Sequence, residues 1–145
     1  MSAGRICSRV IVTASPDELV RVAARRMAEN DVGTLVVVNG KASHGTIGIL
    51  TDRDIAIRCV AGGLDPDATP VSKIMTQPVR AIDENMPIEH AIQRMAEAAA
   101  RRLVVTGKHD ELVGILSLDD VIDLVVGELA PIGRLLEQQQ PHIPA

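Results

Sequence analysis

Two short segments place a hydroxyl and a carboxylate three residues apart, each directly after an apolar run. The first holds Thr51 and Asp54, the second holds Ser117 and Asp120, and each apolar run ends in Gly-Ile-Leu. We place each hydroxyl at a helix N-cap and each carboxylate at N3, where free backbone N–H groups and the helix dipole favour an anion. This arrangement suits a phosphate, and the carboxylate can accept hydrogen bonds from a sugar diol.

The same spacing also has a purely structural interpretation. Ser or Thr followed three residues later by an acidic residue is close to a capping box, in which both side chains only satisfy donors at the helix start. For a single copy the two interpretations are about equally good. Because the pattern occurs twice after the same three residues, we favour a ligand site.

The elements that must position these residues also occur twice. The hydrophobic pattern predicts strand, helix, strand, strand and helix, with Ser15 as the cap of the first helix and residues 46–50 as the strand before the first motif. The tetrapeptide Arg-Met-Ala-Glu stands at residues 26–29 and again at residues 94–97, a shift of 68, and the shift falls to 66 between the two motifs. An internal duplication explains both shifts.

The duplication divides the chain into four parts. We expect a first repeat over residues 1–63, a proline-containing linker over residues 64–78 with a helical turn near Ser72, and a second repeat over residues 79–128. Residues 129–145 then form a tail whose last residues we expect to be disordered, because they are rich in proline and glutamine.

The composition argues against several functions. Of the 145 residues 46% are hydrophobic, and the net charge of −4 disfavours broad binding to nucleic acid or anionic membranes. No apolar span reaches the roughly 20 residues of a membrane helix, and residues 1–5 lack the apolar core of a secretory signal. Cys7 and Cys59 show no metal-ligand spacing, so we expect a reducing cytoplasm. Without Phe, Tyr or Trp, any ligand ring must lie against aliphatic side chains.

The repeated units resemble a known family. Two copies of strand-helix-strand-strand-helix, each with Gly-apolar-x-Thr/Ser-x-x-Asp, are similar to a tandem pair of CBS (cystathionine β-synthase) domains, or Bateman module, over about residues 8–128. The resemblance implies an α+β fold whose repeats pack through their sheets with pseudo-twofold symmetry. It also implies two clefts for adenosine-containing ligands such as AMP, ADP, ATP, NAD or S-adenosylmethionine, with AMP as our first choice. The implied function is regulatory ligand sensing.

The resemblance assigns roles to individual residues. It implies that Asp54 and Asp120 bind ribose hydroxyls, that Thr51 and Ser117 bind ribose or phosphate, and that backbone near two strand starts of each repeat holds the base. The predicted ligand-binding set is Val12, Thr34, Ile49, Thr51, Arg53, Asp54, Arg80, Arg101, Arg102, Ile115, Ser117 and Asp120.

The two repeats differ in their basic residues. Arg101 and Arg102 precede the second strand of the second repeat, where the first repeat has Gly-Thr, and Arg53 lies within the first motif. Arginine suits phosphate because its planar fork can bond two oxygens. Alternatively, these arginines are exposed and paired with nearby acids, which is the slightly better interpretation for Arg53. For Arg101 and Arg102 we favour the phosphate role, and therefore expect the site with Asp120 to bind phosphorylated ligands more tightly.

The remaining reactive residues form no catalytic or metal-binding pattern. The four histidines share no metal spacing, so we predict no zinc site; they are His44, His90, His109 and His142. Around the motif carboxylates we find neither a nucleophile–base pair nor an orienting third group, so we predict no enzymatic activity.

We expect the regulatory signal to pass through contacts with another protein chain. Apolar residues of the last helix and of the tail exceed what two small repeats need to cover, and we therefore expect a homodimer; these residues are Val121, Leu124, Val125, Leu135 and Leu136. An effector protein is a second expected partner. The alternative function is a structural protein-interaction module whose motifs only cap helices and bind no nucleotide.

Overall fold

The computed structural model describes residues 1–40 and 45–139, which form two copies of one α+β unit. The elements of the first half are α1 (Ala3–Ile6), β1 (Thr13–Ala14), α2 (Val20–Asn30), β2 (Thr34–Val38), β3 (Thr46–Thr51) and α3 (Asp52–Asp54), which continues as a π-helical segment (Ile55–Val60). A 3₁₀ turn (Val71–Lys73) leads into the second half, which comprises β4 (Ala81–Asp83), α4 (Ile88–Ala98), β5 (Arg102–Thr106), β6 (Leu112–Ser117) and α5 (Leu118–Gln138).

Each half builds a three-stranded sheet with the same register. β1 runs parallel to β2, and β2 pairs antiparallel with β3 so that Val36 faces Ile49. In the second sheet β4 and β5 are parallel, and Val104 faces Ile115 across the antiparallel pair β5–β6. Both antiparallel pairs have a register shift at the equivalent place, between Val37 and Val38 in the first sheet and between Val105 and Thr106 in the second. The predicted duplication is therefore confirmed down to the pairing of single residues.

Each repeat is completed by a segment from outside its predicted bounds. The amide of Ala3 donates to Met86 O (2.8 Å), and Ser8 exchanges two backbone hydrogen bonds of 2.9 Å with Ile115, so residues 1–8 pack on the second repeat. Thr76 pairs in the same way with Ile49 of the first repeat, at 3.0 and 2.8 Å. Residues 1–8 therefore pack on the second repeat, and residues 70–76 of the predicted linker pack on the first.

The glycine of each motif makes this packing possible. A Cβ at Gly48 would lie 2.7 Å from Met75 Sδ, and a Cβ at Gly114 would lie 2.5 Å from the carbonyl oxygen of Ser8. At Gly114 the close atom belongs to the backbone, so this position requires glycine, whereas at Gly48 a larger residue would first have to displace the flexible Met75 side chain.

The first helix of the repeat begins later than the capping pattern predicted. α2 begins at Val20, and Ser15 instead opens a turn in which its carbonyl oxygen accepts from the amide of Glu18 (3.3 Å). The amide of Val20 donates to Thr69 O (2.9 Å), so a carbonyl from the segment between the two repeats satisfies an amide of the first turn of α2.

Two hydrophobic clusters lie on the helix-covered faces of the sheets. Leu35 and Val37 belong to the first, and Leu103 and Val105 belong to the second. Val36 and Val104 are equally buried but belong to neither cluster, because alternate side chains of a strand point to opposite faces. The predicted packing through the sheets places these valines between the two repeats.

The predicted tail is helical over most of its length. α5 continues to Gln138 through Pro131, although proline cannot donate the hydrogen bond of a helix interior. The tail prediction gave the prolines too much weight, while Leu129, Ile132 and Leu136 continue the helical spacing of apolar residues. Residues 140–145, where we expected disorder, lie outside the described residues. None of the helices in the described ranges is long and apolar enough to cross a membrane.

Candidate functional site

Both motifs form complete capping boxes. Thr51 Oγ1 accepts from the Asp54 amide (3.1 Å), and Asp54 Oδ2 accepts from the Thr51 amide (3.0 Å). In the second repeat Ser117 Oγ accepts from the Asp120 amide (3.1 Å), while Asp120 Oδ2 accepts from the Ser117 amide at 2.7 Å. The cap uses one oxygen of each carboxylate. Capping and ligand binding are therefore compatible, because Oδ1 takes no part in the cap.

A cleft of about 420 Å³ lies beside Asp54, between the two repeats. The first repeat contributes the motif residues Ile49, Thr51, Arg53 and Asp54 together with Arg58. The other lining residues come from the segment between the repeats and from the second repeat: Thr76, Pro78, Val79, Arg80, Ala98, Ala99, Ala100, Arg101 and Arg102. This volume is within the range of small-molecule sites, roughly 300–1,000 Å³. The structure thus brings seven of the twelve predicted ligand-binding residues into one cleft.

The arginines that we expected near Asp120 line the cleft beside Asp54. Arg101 and Arg102 line the cleft with Asp54, not with Asp120. The reason is the crossing segment: Thr76 pairs with Ile49 of the first sheet, and four residues later the carbonyl of Arg80 accepts from the Val104 amide (3.0 Å) of the second sheet. The structure therefore places Arg101 and Arg102 in the cleft with Asp54, where we had expected them to serve the site with Asp120.

The other predicted residues stand at positions of the second motif and its surroundings that the internal repeat makes equivalent to this cleft. Ser8 pairs with Ile115, and the carbonyl of Val12 accepts from the Val36 amide (3.0 Å), so this crossing repeats the first one. The shift of 68 places Val12 at the position of Arg80 and Thr34 at the position of Arg102. Thr34 Oγ1 is buried and has no hydrogen-bond partner among the described residues.

The cleft beside Asp54 is strongly cationic. It holds five of the fifteen Lys and Arg residues of a chain whose net charge is −4. Arg101 lies 3.9 Å from Asp119, but both side chains are about three-quarters exposed, and such pairs contribute little. Within residues 1–40 and 45–139, no ion pair involves Arg53, Arg80 or Arg102. The predicted alternative, arginines neutralised by acids, applies only to Arg101.

Two residues near Asp54 were missed in the sequence. Arg58 Nη1 donates to Ile74 O (2.9 Å) and to Thr76 Oγ1 (3.2 Å), and Thr76 Oγ1 lies 3.4 Å from both oxygens of Asp54. Arg58 could have been found, because residues four apart on a helix are neighbours. Thr76 could not, because only the fold brings the crossing segment beside Ile49.

The surroundings of Asp120 are less polar. The shift of 66 places Leu124 at the position of Arg58, and the shift of 68 places Ser8 at the position of Thr76. Burial raises the pKa of the neighbouring Cys7 thiol, which Arg9 lowers and the charge of Asp120 raises further. Among the described residues, no group of three or more His, Cys, Asp or Glu could hold a metal ion; His44 and His142 lie outside them.

Comparisons with known proteins agree with this architecture. The family model of the CBS domain matches residues 3–60 and 71–127, which differ by the same shift of 68 at their starts. An uncharacterized protein of Methanopyrus kandleri is 34% identical over 99% of this chain and 72% of its own length. A Burkholderia ambifaria protein with CBS domains superimposes with a TM-score of 0.79 at 28% identity, covering 99% of this chain and 100% of that one. A CBS domain protein of Pyrobaculum aerophilum, solved in complex with AMP, superimposes with a TM-score of 0.74 at 28% identity over 83% of this chain and 89% of that one.

Proposed function

Since the chain belongs to the CBS domain family and carries two repeats in tandem, we propose that it is a regulatory module that binds an adenine nucleotide beside Asp54. The observation that best supports the proposal is the cleft itself, in which a carboxylate of one repeat faces unpaired arginines of the other. The AMP bound to the Pyrobaculum aerophilum protein indicates the class of ligand.

In this proposal Asp54 binds the ribose. Among residues 1–40 and 45–139, its Oδ1 is contacted at 3.4 Å by Thr76 Oγ1 and at 3.8 Å by Arg58 Nη2, both longer than a good hydrogen bond. A ribose diol can therefore donate to this oxygen without breaking the cap. Hydrogen bonds to a charged acceptor contribute roughly 1.5–3 kcal/mol each.

The base and the phosphates have separate surroundings in the cleft. Ile49, Val79 and residues 98–100 supply aliphatic surface for an adenine, as the lack of aromatic residues requires. Backbone groups near Arg80 and Arg102 can hold the edge of the base, while guanidinium groups take the phosphates. We place Val12, Thr34, Ile115, Ser117 and Asp120 in a second, less polar site.

The bound nucleotide would regulate by bridging the repeats. A ligand shifts a conformational equilibrium only by its differential affinity for the two states. A nucleotide held by Asp54 on one side and by Arg102 on the other has affinity only for the arrangement that brings both within reach. The signal then passes to a partner protein or to a second copy of the chain. We place this module in the cytoplasm, because Cys7 and Cys59 are free thiols.

A structural interaction module remains the second candidate. Its support is the completeness of both capping boxes, in which each hydroxyl and carboxylate already satisfies an amide of the helix start. In that function the motif carboxylates stabilise helix starts and the arginines are surface residues.

Calorimetric titration separates the two functions. We expect heat and a thermal shift with at least one of AMP, ADP, ATP, NAD and S-adenosylmethionine, and Asp54→Asn should weaken that binding. Because the chain has no Trp or Tyr, an absorbance maximum near 260 nm in the purified protein would reveal a retained nucleotide. No heat with any of the five at millimolar concentration would favour the structural function.

A further inference from the structure

We infer that the cleft beside Asp54 selects ligands with two or three phosphates and that the chain binds one such ligand, not two. The inference deepens the proposed function, since it names the phosphate chain of the ligand in that same site. It rests on the number of unpaired arginines in this cleft and on their replacement around Asp120.

The first argument is charge. The cleft collects Arg53, Arg80, Arg101 and Arg102 in addition to Arg58, while Asp54 is the only acid in its lining among the described residues. Like charges in one cleft repel each other, and a bound anion relieves this repulsion. A single phosphate group carries at most two negative charges and cannot compensate four guanidinium groups. A nucleoside diphosphate carries about three negative charges and a triphosphate about four, so the compensation improves with each added phosphate.

The second argument is availability. Arg53 and Arg80 are exposed, Arg102 is half-buried, and none of the three takes part in an ion pair within the described residues. Arg101 is held only by the exposed contact with Asp119, which a phosphate would displace easily. Arg58 differs, because the carbonyl of Ile74 already accepts from it. The four other arginines are therefore free to bind phosphate oxygens.

The third argument is the contrast with the second repeat motif. At the positions of Arg80, Arg101 and Arg102, the surroundings of Asp120 have Val12, Gly33 and Thr34. At the position of Arg53 they have Asp119, which would repel a phosphate. Four cationic positions thus become three uncharged ones and one acidic one. Of these equivalent positions, those in the cleft with Asp54 carry arginine and those around Asp120 do not, while Arg9 near Cys7 already donates to the carbonyl of Gly4.

The test compares a ligand series on the full chain. Adenosine, AMP, ADP, ATP, GTP and tripolyphosphate are titrated calorimetrically without Mg²⁺, at two salt concentrations. We expect ATP to bind about tenfold or more tightly than AMP, with one ATP per chain and a steeper loss of affinity at high salt. Arg101→Gln combined with Arg102→Gln should weaken ATP binding more than AMP binding, and should therefore remove most of the ATP preference.

A matched control removes the same kind of charge elsewhere. Arg25→Gln lies on the exposed face of α2, outside the cleft, and should leave every affinity unchanged. Thermal melting shows whether the double variant folds. If it does not, the ratio of ATP to AMP affinity in the unmodified chain decides alone.

The outcomes separate this inference from the proposed function. Equal binding of AMP, ADP and ATP would overturn the phosphate selectivity and leave the nucleotide module intact. Tight binding of tripolyphosphate and GTP, with no preference for adenine, would support the phosphate site and contradict the adenine assignment. Two ATP molecules per chain would overturn the assignment to a single site, and no binding at all would overturn both proposals.

Discussion

Arg58 Nη2 lies 3.8 Å from Asp54 Oδ1, one helical turn after it, while Nη1 of the same guanidinium donates to the carbonyl of Ile74. One side chain thus connects the motif carboxylate of the first repeat to the segment that crosses into the second. In the second repeat Leu124 stands at this position. The connection therefore exists only on the side of the chain where the arginines line the cleft.

We predict that Arg58→Leu weakens nucleotide binding by positioning, without removing a phosphate contact. Loss of a hydrogen bond of ordinary strength, about 0.5–1.5 kcal/mol, corresponds to roughly twofold to tenfold in affinity. Calorimetry should show a similar factor for AMP and for ATP, since the effect acts through Asp54. Arg25→Gln serves again as the control. A gain in affinity would contradict us and show that Arg58 competes with the ribose for the carboxylate.

The two motif carboxylates should differ in their effect on ATP. Asp54→Asn removes the charge that accepts the ribose hydroxyls, so we expect about a tenfold to hundredfold loss of ATP affinity. Asp120→Asn is the matched control, because it changes the same cap in the other repeat and should leave ATP binding nearly unchanged. Each substitution should cost the fold only about 0.3–1 kcal/mol, measured by urea unfolding.

The opposite result would restore the sequence-based assignment. If Asp120→Asn abolishes ATP binding and Asp54→Asn does not, the arginines act on the second motif. If both variants lose stability and neither loses affinity, the carboxylates serve only as helix caps.

The repeats and their motifs were predictable because they depend on local pattern. Thr51 and Asp54 stand three residues apart between a strand and a helix, and this spacing alone predicts the capping box that the structure contains. The periodicity of apolar residues likewise predicts β2, β3 and α4 in their observed order. These features need no knowledge of what lies across the cleft.

The partners across the cleft were not predictable in this way. Arg102 faces Asp54 because the chain crosses between the sheets over residues 76–80, and nothing local in the sequence marks that crossing. The start of α2 was misplaced for a similar reason. The amide of Val20 is satisfied by the carbonyl of Thr69, which is distant in the sequence and lies between the two repeats. Local pattern thus located the chemical groups but did not show that Arg101 and Arg102 line the cleft with Asp54.

A homodimer through α5 is a further prediction. Val121 and Leu124, which we expected at the interface, instead pack in the second hydrophobic cluster. Other apolar side chains of this helix remain about half exposed in one chain, at Ile122 (48%), Leu129 (56%), Ile132 (53%) and Leu136 (61%). They follow each other at three-, four- and seven-residue intervals, the spacing of helix pairing. Sedimentation recorded by interference should give twice the chain mass of 15.4 kDa.

The dimer prediction has a simple substitution test. Leu129→Glu should dissociate the dimer, because the interface would bury an unpaired charge. Asp123→Asn, on the opposite side of α5, should leave it intact. A mass of 15.4 kDa for the unmodified chain across the micromolar range would contradict the prediction.

Cys7 should make stability fall at alkaline pH. Burial raises the pKa of this thiol, so the folded chain keeps the proton at a pH where the unfolded chain has lost it. The contribution is complete below the ordinary thiol pKa, about 8.5, and is lost as pH rises through the raised pKa of the folded chain. Urea unfolding between pH 7 and 10 should therefore show a steeper decline for the unmodified chain than for Cys7→Ala. Parallel declines would contradict the prediction.

Thr34→Val should stabilise the protein without ligand, or leave its stability unchanged. Thr34 Oγ1 is buried and has no partner among the described residues, and a buried unsatisfied group costs roughly 1–3 kcal/mol. Valine keeps the shape and removes that cost.

Thr69→Val is the matched control: Thr69 is equally buried, but its hydroxyl donates to Asp65 O at 2.7 Å, so the same substitution should destabilise by about 0.5–1.5 kcal/mol. Urea unfolding measures both. If Thr34→Val loses as much stability as Thr69→Val, the hydroxyl of Thr34 has a partner in solution, and an ordered water beside Asp120 would be the first to look for.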